Sequence, residues 1–130
     1  MTEPQGKKIL LAEDDRFLAK TLVNELTRDG LEVIHVHNGE QALGAIKSSK
    51  IDLVVLDLMM PQKNGFEFLI EKKLDKTITD IPVIVLSNLD QDTDREKALS
   101  LGAKAYLVKA HNSLQEIVSQ VLEHVAATSK

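Results

Sequence analysis

Five side chains suited to binding a divalent cation or a phosphoryl group stand directly after short apolar runs of the sequence. They are Glu13, Asp14, Asp57, Ser87 and Lys109. Carboxylates that lie close together repel one another, and a divalent cation held by oxygen ligands relieves that repulsion. Mg²⁺ fits best, because it binds one or two carboxylates, retains waters and bridges to phosphate oxygens. A carboxylate such as Asp57 can act as a nucleophile toward phosphorus, while a lysine and a hydroxyl contact the other phosphoryl oxygens.

Each of these residues also has an ordinary interpretation. The acidic segment Glu13–Asp15 is typical of the start of a helix, which it would cap, and we expect Asp15 to do only this. A single Asp after a strand is more often a turn residue, and a single Ser or Lys there carries little information. The agreement of all these residues at the ends of matching strands favours the chemical interpretation.

The strands that would position them are predicted from five short apolar runs, which alternate with helix-period stretches. Runs that are almost wholly apolar are typical of a parallel sheet covered on both faces. In such a sheet, ligands bind at the carboxyl ends of the strands. The second run ends at His37-Asn38, without an acid. The runs are Ile9–Ala12, Leu31–Val36, Leu53–Leu56, Val83–Leu86 and Ala103–Val108.

Five helices are predicted between and after these strands. The first ends at Asp29-Gly30, the third begins at Asn64-Gly65, the fourth ends at Gly102, and Ser113 is the N-cap of the fifth. The second helix spans Glu40–Ile46 and the fourth spans Asp92–Leu101. The other three helices are predicted from apolar stripes along one face. These stripes are Phe17, Leu18, Leu22, Val23 and Leu26 in the first helix, Phe66, Leu69, Ile70 and Leu74 in the third, and Leu114, Ile117, Val118, Val121, Leu122 and Val125 in the fifth. Five β–α units predict a doubly wound α/β domain with right-handed crossovers.

Composition narrows the classes of function. The chain has 130 residues, which is the usual size of one domain, and we place that domain at 7–127 with flexible ends at 1–6 and 128–130. The net charge is −4 and there are no basic clusters, so direct binding of nucleic acid is not expected. The absence of cysteine excludes disulfides and thiolate chemistry. No signal segment or membrane-spanning run is present, and we expect a cytoplasmic protein without membrane contact.

Four segments of the sequence form a specific set: Ile9–Asp15 with its acidic pair, Asp57–Pro61 followed by Gly65, Ser87, and Tyr106–Lys109. This set resembles the receiver domains of response regulators, the family related to the chemotaxis regulator CheY. The likeness extends from about Lys8 to Val125. It implies a flavodoxin-like five-stranded parallel sheet with strand order 2-1-3-4-5 and five helices.

The resemblance also assigns roles to residues. It implies that Asp57 is phosphorylated by a histidine kinase or phosphotransfer protein, with Ser87 and Lys109 contacting the phosphoryl group. It further implies that Mg²⁺ is bound by Glu13, Asp14, Asp57 and the backbone carbonyl of Met59, with Asp14 the more direct ligand of the acidic pair. Tyr106 resembles the aromatic residue that changes rotamer when Ser87 moves.

The sequence departs from the family pattern at two positions. The lysine is usually followed by a proline with a cis peptide bond, whereas Lys109 precedes Ala110. Because a cis bond before a residue other than proline costs about 3–4 kcal/mol, we predict a trans bond and a displaced loop at 110–113. Asn88 is bulkier than the residue usual after the Ser or Thr, which is expected to narrow access to Asp57.

Three classes of function use residues of these types, and they differ in what else they require. The preferred one is a phosphorylation-dependent switch that alters the surface of the fourth helix, fifth strand and fifth helix. A magnesium-dependent phosphatase with an Asp nucleophile usually has a second acid two residues later, where this chain has Met59. A receiver that has lost phosphorylation would not retain Glu13, Asp14, Asp57, Ser87 and Lys109 together.

No output domain follows in this sequence, so we expect either that the switch acts through an unidentified downstream protein partner or that the sequence is a fragment of a longer regulator. Dimerisation of the kind seen before DNA-binding domains is not favoured. Lys104-Ala105 stands where an acidic residue usually precedes the aromatic residue, and no arginine follows Arg95.

The resemblance also suggests how long the phosphorylated state lasts. It places the side chains two residues after Asp57 and two residues after Ser87 beside the approach of the hydrolytic water. These are Met59 and Leu89, both large and apolar. We therefore expect slow self-dephosphorylation.

Overall fold

A five-stranded parallel sheet forms the centre of the computed structural model, which describes residues 6–128. The strands are β1 (Lys8–Ala12), β2 (Glu32–Val36), β3 (Leu53–Leu56), β4 (Val83–Ser87) and β5 (Ala105–Val108). Their order is β2-β1-β3-β4-β5, and every neighbouring pair is parallel. This confirms the predicted flavodoxin-like order.

Helices follow each strand, as predicted. They are α1 (Arg16–Arg28), α2 (Gly39–Ser48), α3 (Gly65–Leu74), α4 (Asp92–Ser100) and α5 (Leu114–Ala126), with a 3₁₀ turn at Lys109–His111 before the last. Asp15 caps α1 by accepting from the Leu18 N–H, which confirms its predicted role. Asn64 and Ser113 each form a capping box, with Glu67 and Glu116 respectively.

Two apolar clusters form the core, one on each face of the sheet. The α1–α5 side contains Ile9, Leu22, Val55 and Val121, among others, and the α2–α4 side contains Leu10, Val54, Phe68 and Val85, among others. Strands β3 and β4 are buried along their whole length. This two-sided burial explains why their sequences are almost wholly apolar.

The predicted apolar stripes were wrong at Phe17, Ile70 and Leu74, which are 82%, 42% and 80% exposed. Successive residues of a helix are separated by about 100°, so Phe17 lies about 200° from the buried Ala19. Leu74 lies likewise about 200° from Lys72, which is buried. The Lys72 ammonium donates to the Thr79 carbonyl at 2.8 Å, so a charged residue takes the inner position.

Two strands begin later than predicted, because the residue after a glycine completes the preceding helix. Gly30 and Gly102 adopt φ angles of 91° and 105°. Leu31 then donates to the Leu26 carbonyl of α1, and Ala103 donates to the Ala98 carbonyl of α4, both at 3.1 Å. These are the bonds of Schellman motifs. The strands therefore start at Glu32 and Ala105.

The flexible ends predicted at 1–6 and 128–130 fall mostly outside the described residues, which begin at Gly6 and end at Thr128. Gly6 donates to the Gly30 carbonyl at 3.1 Å, and the Thr128 hydroxyl donates to the Val125 carbonyl at 2.7 Å. Among residues 6–128, no helix is both long and apolar enough to cross a membrane.

Candidate functional site

The sheet register brings the predicted site residues to one edge. Ala12 pairs with Leu56 across β1 and β3, so Glu13 and Asp57 are the next residues along neighbouring strands. The Asp57 N–H donates to the Ala12 carbonyl at 2.9 Å, which fixes this register at the site. Ser87 pairs with Val108, so Lys109 extends β5 just past the end of β4.

Asp57 lies at the centre of this edge and is 5% exposed. Its Oδ1 accepts from the Met59 N–H at 3.1 Å, and its Oδ2 accepts from the Lys109 ammonium at 3.3 Å. The Asp57 carboxylate is thus oriented by the loop that follows it and by the ammonium group of Lys109, the residue after β5. A buried, oriented carboxylate of this kind is chemically suited to act as a nucleophile.

Lys109 bridges two carboxylates. Its Nζ lies 2.9 Å from both oxygens of Glu13, but only Oε2 meets the geometry of a hydrogen bond. Glu13 Oε2 also accepts from the Asp15 N–H at 2.9 Å. Glu13 Oε1 is buried and has no hydrogen-bond partner among the described residues. Within that part of the chain, the contact of this oxygen is therefore the charge of the Lys109 ammonium alone, 2.9 Å away.

The electrostatics of the site follow from this burial. Burial, together with the nearby charge of Asp57, raises the pKa of Glu13 to about 7. Burial alone would lower the pKa of Lys109, but its hydrogen bond to Glu13 and the charges of Asp57 and Glu13 outweigh burial and raise that pKa. The site therefore holds excess negative charge that one lysine only partly neutralises.

The other two predicted metal ligands lie at the rim. Asp14 is exposed, and it lines a cleft of about 560 Å³ together with Met59, Leu89 and Phe66. Within residues 6–128, no three His, Asp or Glu side chains converge closely enough to enclose a metal ion by themselves. Mg²⁺ retains waters and uses few carboxylates, so it does not need such an enclosure. Two buried carboxylates, Glu13 and Asp57, that share one ammonium group match the oxygen donors that Mg²⁺ prefers.

Ser87 and Tyr106 both contact the backbone of Leu89. The Ser87 Oγ, fully buried, accepts from the Leu89 N–H at 3.3 Å, and the Tyr106 hydroxyl donates to the Leu89 carbonyl at 2.7 Å. Tyr106 is 6% exposed, with the Arg95 guanidinium 5.1 Å from the ring centroid. The two predicted switch residues are therefore linked through one residue of the β4–α4 loop.

The loop after Asp57 is also held by residues outside the predicted site. Asn38 donates to the Gln62 side chain at 2.9 Å, and Gly39 donates to the Lys63 carbonyl at 2.7 Å. Gln62 adopts a left-handed φ of 67°, a conformation that its residue type does not predict. Asn38 was a detectable signal, since Asn is among the residues preferred at a helix N-cap, the position it takes before α2.

The peptide bond between Lys109 and Ala110 is trans, as predicted, because no cis bond occurs between residues 6 and 128. The chain then forms the 3₁₀ turn at Lys109–His111, and Asn112 donates to the Val108 carbonyl at 2.8 Å. The predicted displacement of 110–113 from the family's path stays a prediction.

Comparisons with known proteins match most of the length of this chain to one family. The family model described as "Response regulator receiver domain" matches residues 9–122. The transcriptional regulatory protein CpxR of Escherichia coli K12 is 45% identical over 114 residues, which are 88% of this chain and 47% of CpxR. The chain thus spans about half the length of the curated relatives it matches.

Solved structures give the same result. The receiver domain of the Francisella response regulator 1452 superposes with a TM-score of 0.84 at 31% identity, over 95% of this chain and all of that one. The Mn²⁺-bound form of the response regulator Rcp1 superposes with a TM-score of 0.77 at 28% identity, over 90% of each chain. The fold of this chain is therefore shared with solved structures of response regulators and their receiver domains.

Proposed function

This chain belongs to the response regulator receiver domain family, and from that membership we propose that Asp57 is its phosphoryl acceptor. Domains of this family are phosphoryl-accepting switches of two-component signalling. The observation that carries the proposal is the geometry of the acceptor. Asp57 is buried, and its two oxygens are oriented by the Met59 N–H and the Lys109 ammonium.

The surrounding groups support phosphoryl transfer in specific ways. Lys109 lies 3.3 Å from Asp57 Oδ2, so its ammonium stands where it can pair with an oxygen of the incoming group. The Ser87 hydroxyl can donate to a second phosphoryl oxygen. In doing so, it rotates toward Asp57 and changes its contact with the Leu89 N–H. Both residues act on charge that spreads over the phosphoryl oxygens in the transition state.

We assign the metal site to Glu13, Asp14, Asp57 and the Met59 carbonyl. The residues fit Mg²⁺ because two buried carboxylates share one lysine, which leaves an excess of negative charge. When bound, Mg²⁺ supplies positive charge that offsets both the carboxylates and the phosphoryl oxygens. Asp14 provides an exposed oxygen ligand at the rim of the cleft.

The switch would pass from Ser87 through Leu89 to Tyr106. A change at the Leu89 N–H moves the carbonyl that the Tyr106 hydroxyl contacts at 2.7 Å, and Arg95 of α4 lies against the tyrosine ring. The face formed by α4, β5 and α5 therefore responds to phosphorylation. We propose that a histidine kinase or phosphotransfer protein donates, and that a cytoplasmic protein partner binds the altered face.

The test is labelling with a small phosphodonor and Mg²⁺, followed by measurement of intact mass. We expect a gain of one phosphoryl group, which Asp57→Asn abolishes. Asp15→Asn is the matched control, because it also replaces an acid of this edge but keeps a good helix cap, and it should label normally. Normal labelling of Asp57→Asn would overturn the assignment of the acceptor.

A further inference from the structure

The edge of the sheet that carries Glu13, Asp14 and Asp57 is its acidic edge. His35 lies beside it on β2, and the His35 ring contacts its backbone. The Nε2 atom is 2.8 Å from the carbonyl oxygen of Glu13, in a half-buried position. A carbonyl oxygen only accepts hydrogen bonds, so Nε2 carries the proton and donates. The ring of His37 packs edge-on against that of His35, with centroids 4.4 Å apart.

The contact takes the place of a missing sheet bond. The Glu13 N–H donates to the Val36 carbonyl at 3.1 Å, which continues the parallel ladder of β1 and β2 by one step. In a longer ladder, the Glu13 carbonyl would then accept from the backbone N–H of Asn38. The chain instead turns at Asn38, which is the N-cap of α2. The imidazole of His35 supplies the donor that the strand no longer provides.

This bond fixes the peptide group that joins Glu13 to Asp14. The Glu13 N–H and the Glu13 carbonyl are both hydrogen-bonded to residues of β2, so the peptide group between Glu13 and Asp14 cannot rotate freely. The orientation of this peptide group sets the direction in which Asp14 leaves the sheet. Asp14 is exposed and lacks the packing that would otherwise orient it. Partners of this kind, which orient ligands without binding the metal, commonly contribute about 10–100-fold in affinity.

We propose that His35 is a positioning residue for the metal site, acting through the Glu13 carbonyl to orient Glu13 and Asp14. The inference rests on the metal site of the proposed function. It assigns His35 no contact with the metal or the phosphoryl group. Its effect should therefore appear as a change in Mg²⁺ affinity that depends on a donor at the Nε2 position.

The experiment measures the Mg²⁺ dissociation constant by calorimetry for the whole chain and four variants. His35→Phe keeps a ring but removes the donor, and we expect about tenfold weaker binding. His35→Gln places an amide N–H near the position of Nε2 and should restore most of the affinity. His37→Phe, which preserves the aromatic contact at the same strand end, should bind as the parent does. Urea unfolding in EDTA reports any loss of stability separately.

The outcomes separate this inference from the metal assignment itself. Asp14→Ala tests the metal site, and unchanged binding in that variant would overturn the site. If Asp14→Ala weakens binding while His35→Phe does not, only the role of His35 is wrong. Weak binding in both His35→Phe and His35→Gln would mean that the ring acts by packing, which also overturns the proposal. In ¹⁵N NMR of the metal-free parent, we expect His35 as the Nε2–H tautomer, and the other tautomer would contradict it.

Discussion

Met59 and Leu89 line the cleft that Asp14 borders, and the backbone N–H of each contacts a residue of the proposed phosphorylation site. The Met59 N–H donates to Asp57, and the Leu89 N–H donates to Ser87. Both side chains are apolar, so neither can hydrogen-bond a water that attacks the phosphorus. At the scale of single residues, these two side chains therefore bear on how long the phosphorylated state persists.

We expect slow loss of the phosphoryl group from the parent, and faster loss when both residues become polar. Met59→Asn combined with Leu89→Glu should raise the rate of dephosphorylation by about 10-fold, or about 1.4 kcal/mol of barrier. The decay of intact mass after removal of the phosphodonor measures it. Leu74→Glu makes a similar change at a position that is 80% exposed at the far end of α3, and it should not alter the decay. Equal decay of the double variant and the parent would refute the idea that the apolar side chains of Met59 and Leu89 slow hydrolysis.

At the scale of elements, two helical glycines have very different surroundings. A Cβ on Gly65, the first residue of α3, would lie 2.6 Å from the Asp57 carbonyl oxygen and 2.7 Å from Leu58 Cα. Both neighbours are backbone atoms and cannot move aside without shifting the loop. Gly44, exposed within α2, has no atom within 4 Å of its Cβ position.

The same substitution should therefore have opposite effects at these two positions. Gly44→Ala should stabilise the protein by about 1 kcal/mol, because alanine is the better helix former. Gly65→Ala should destabilise it by about 1–3 kcal/mol and reduce labelling of Asp57, because the backbone of Asp57 and Leu58 must shift. Urea unfolding gives both free energies. A Gly65→Ala protein as stable and as readily labelled as Gly44→Ala would contradict the close approach.

The comparison of sequence and structure is also clearest at this scale. The order of elements and the caps Asp15, Asn64 and Ser113 were predictable, because each depends on a local pattern of residue types. The order of strands in the sheet was implied only by the resemblance to receiver domains. The burial of Lys72 was not, since it depends on a carbonyl of the following loop. The His35 contact joins residues 22 apart, and it exists only because β2 stops where it does. No local pattern encodes such a contact.

At the scale of the whole molecule, repulsion between buried carboxylates at the acidic edge lowers the stability of the fold. Glu13 and Asp57 are 1% and 5% exposed, and they share one ammonium group. Burial beside a second carboxylate raises the pKa of Glu13 to about 7, so the ionised site opposes folding when no cation is bound. The same repulsion favours binding of a divalent cation, which connects the stability of the fold to occupation of the site.

Mg²⁺ should therefore raise the free energy of unfolding of the whole domain. With free ion at about 100 times the dissociation constant, linkage gives about 2.7 kcal/mol, and melting followed by calorimetry at several Mg²⁺ concentrations measures it. Asp14→Ala should lose most of this gain and is expected to match or exceed the parent's stability in EDTA, because one repelling carboxylate is gone. Glu123→Ala, which removes an exposed carboxylate from α5, should keep the full gain. Equal Mg²⁺-dependent shifts in Asp14→Ala and the parent would contradict a metal site at this edge, even if Asp57 were still phosphorylated.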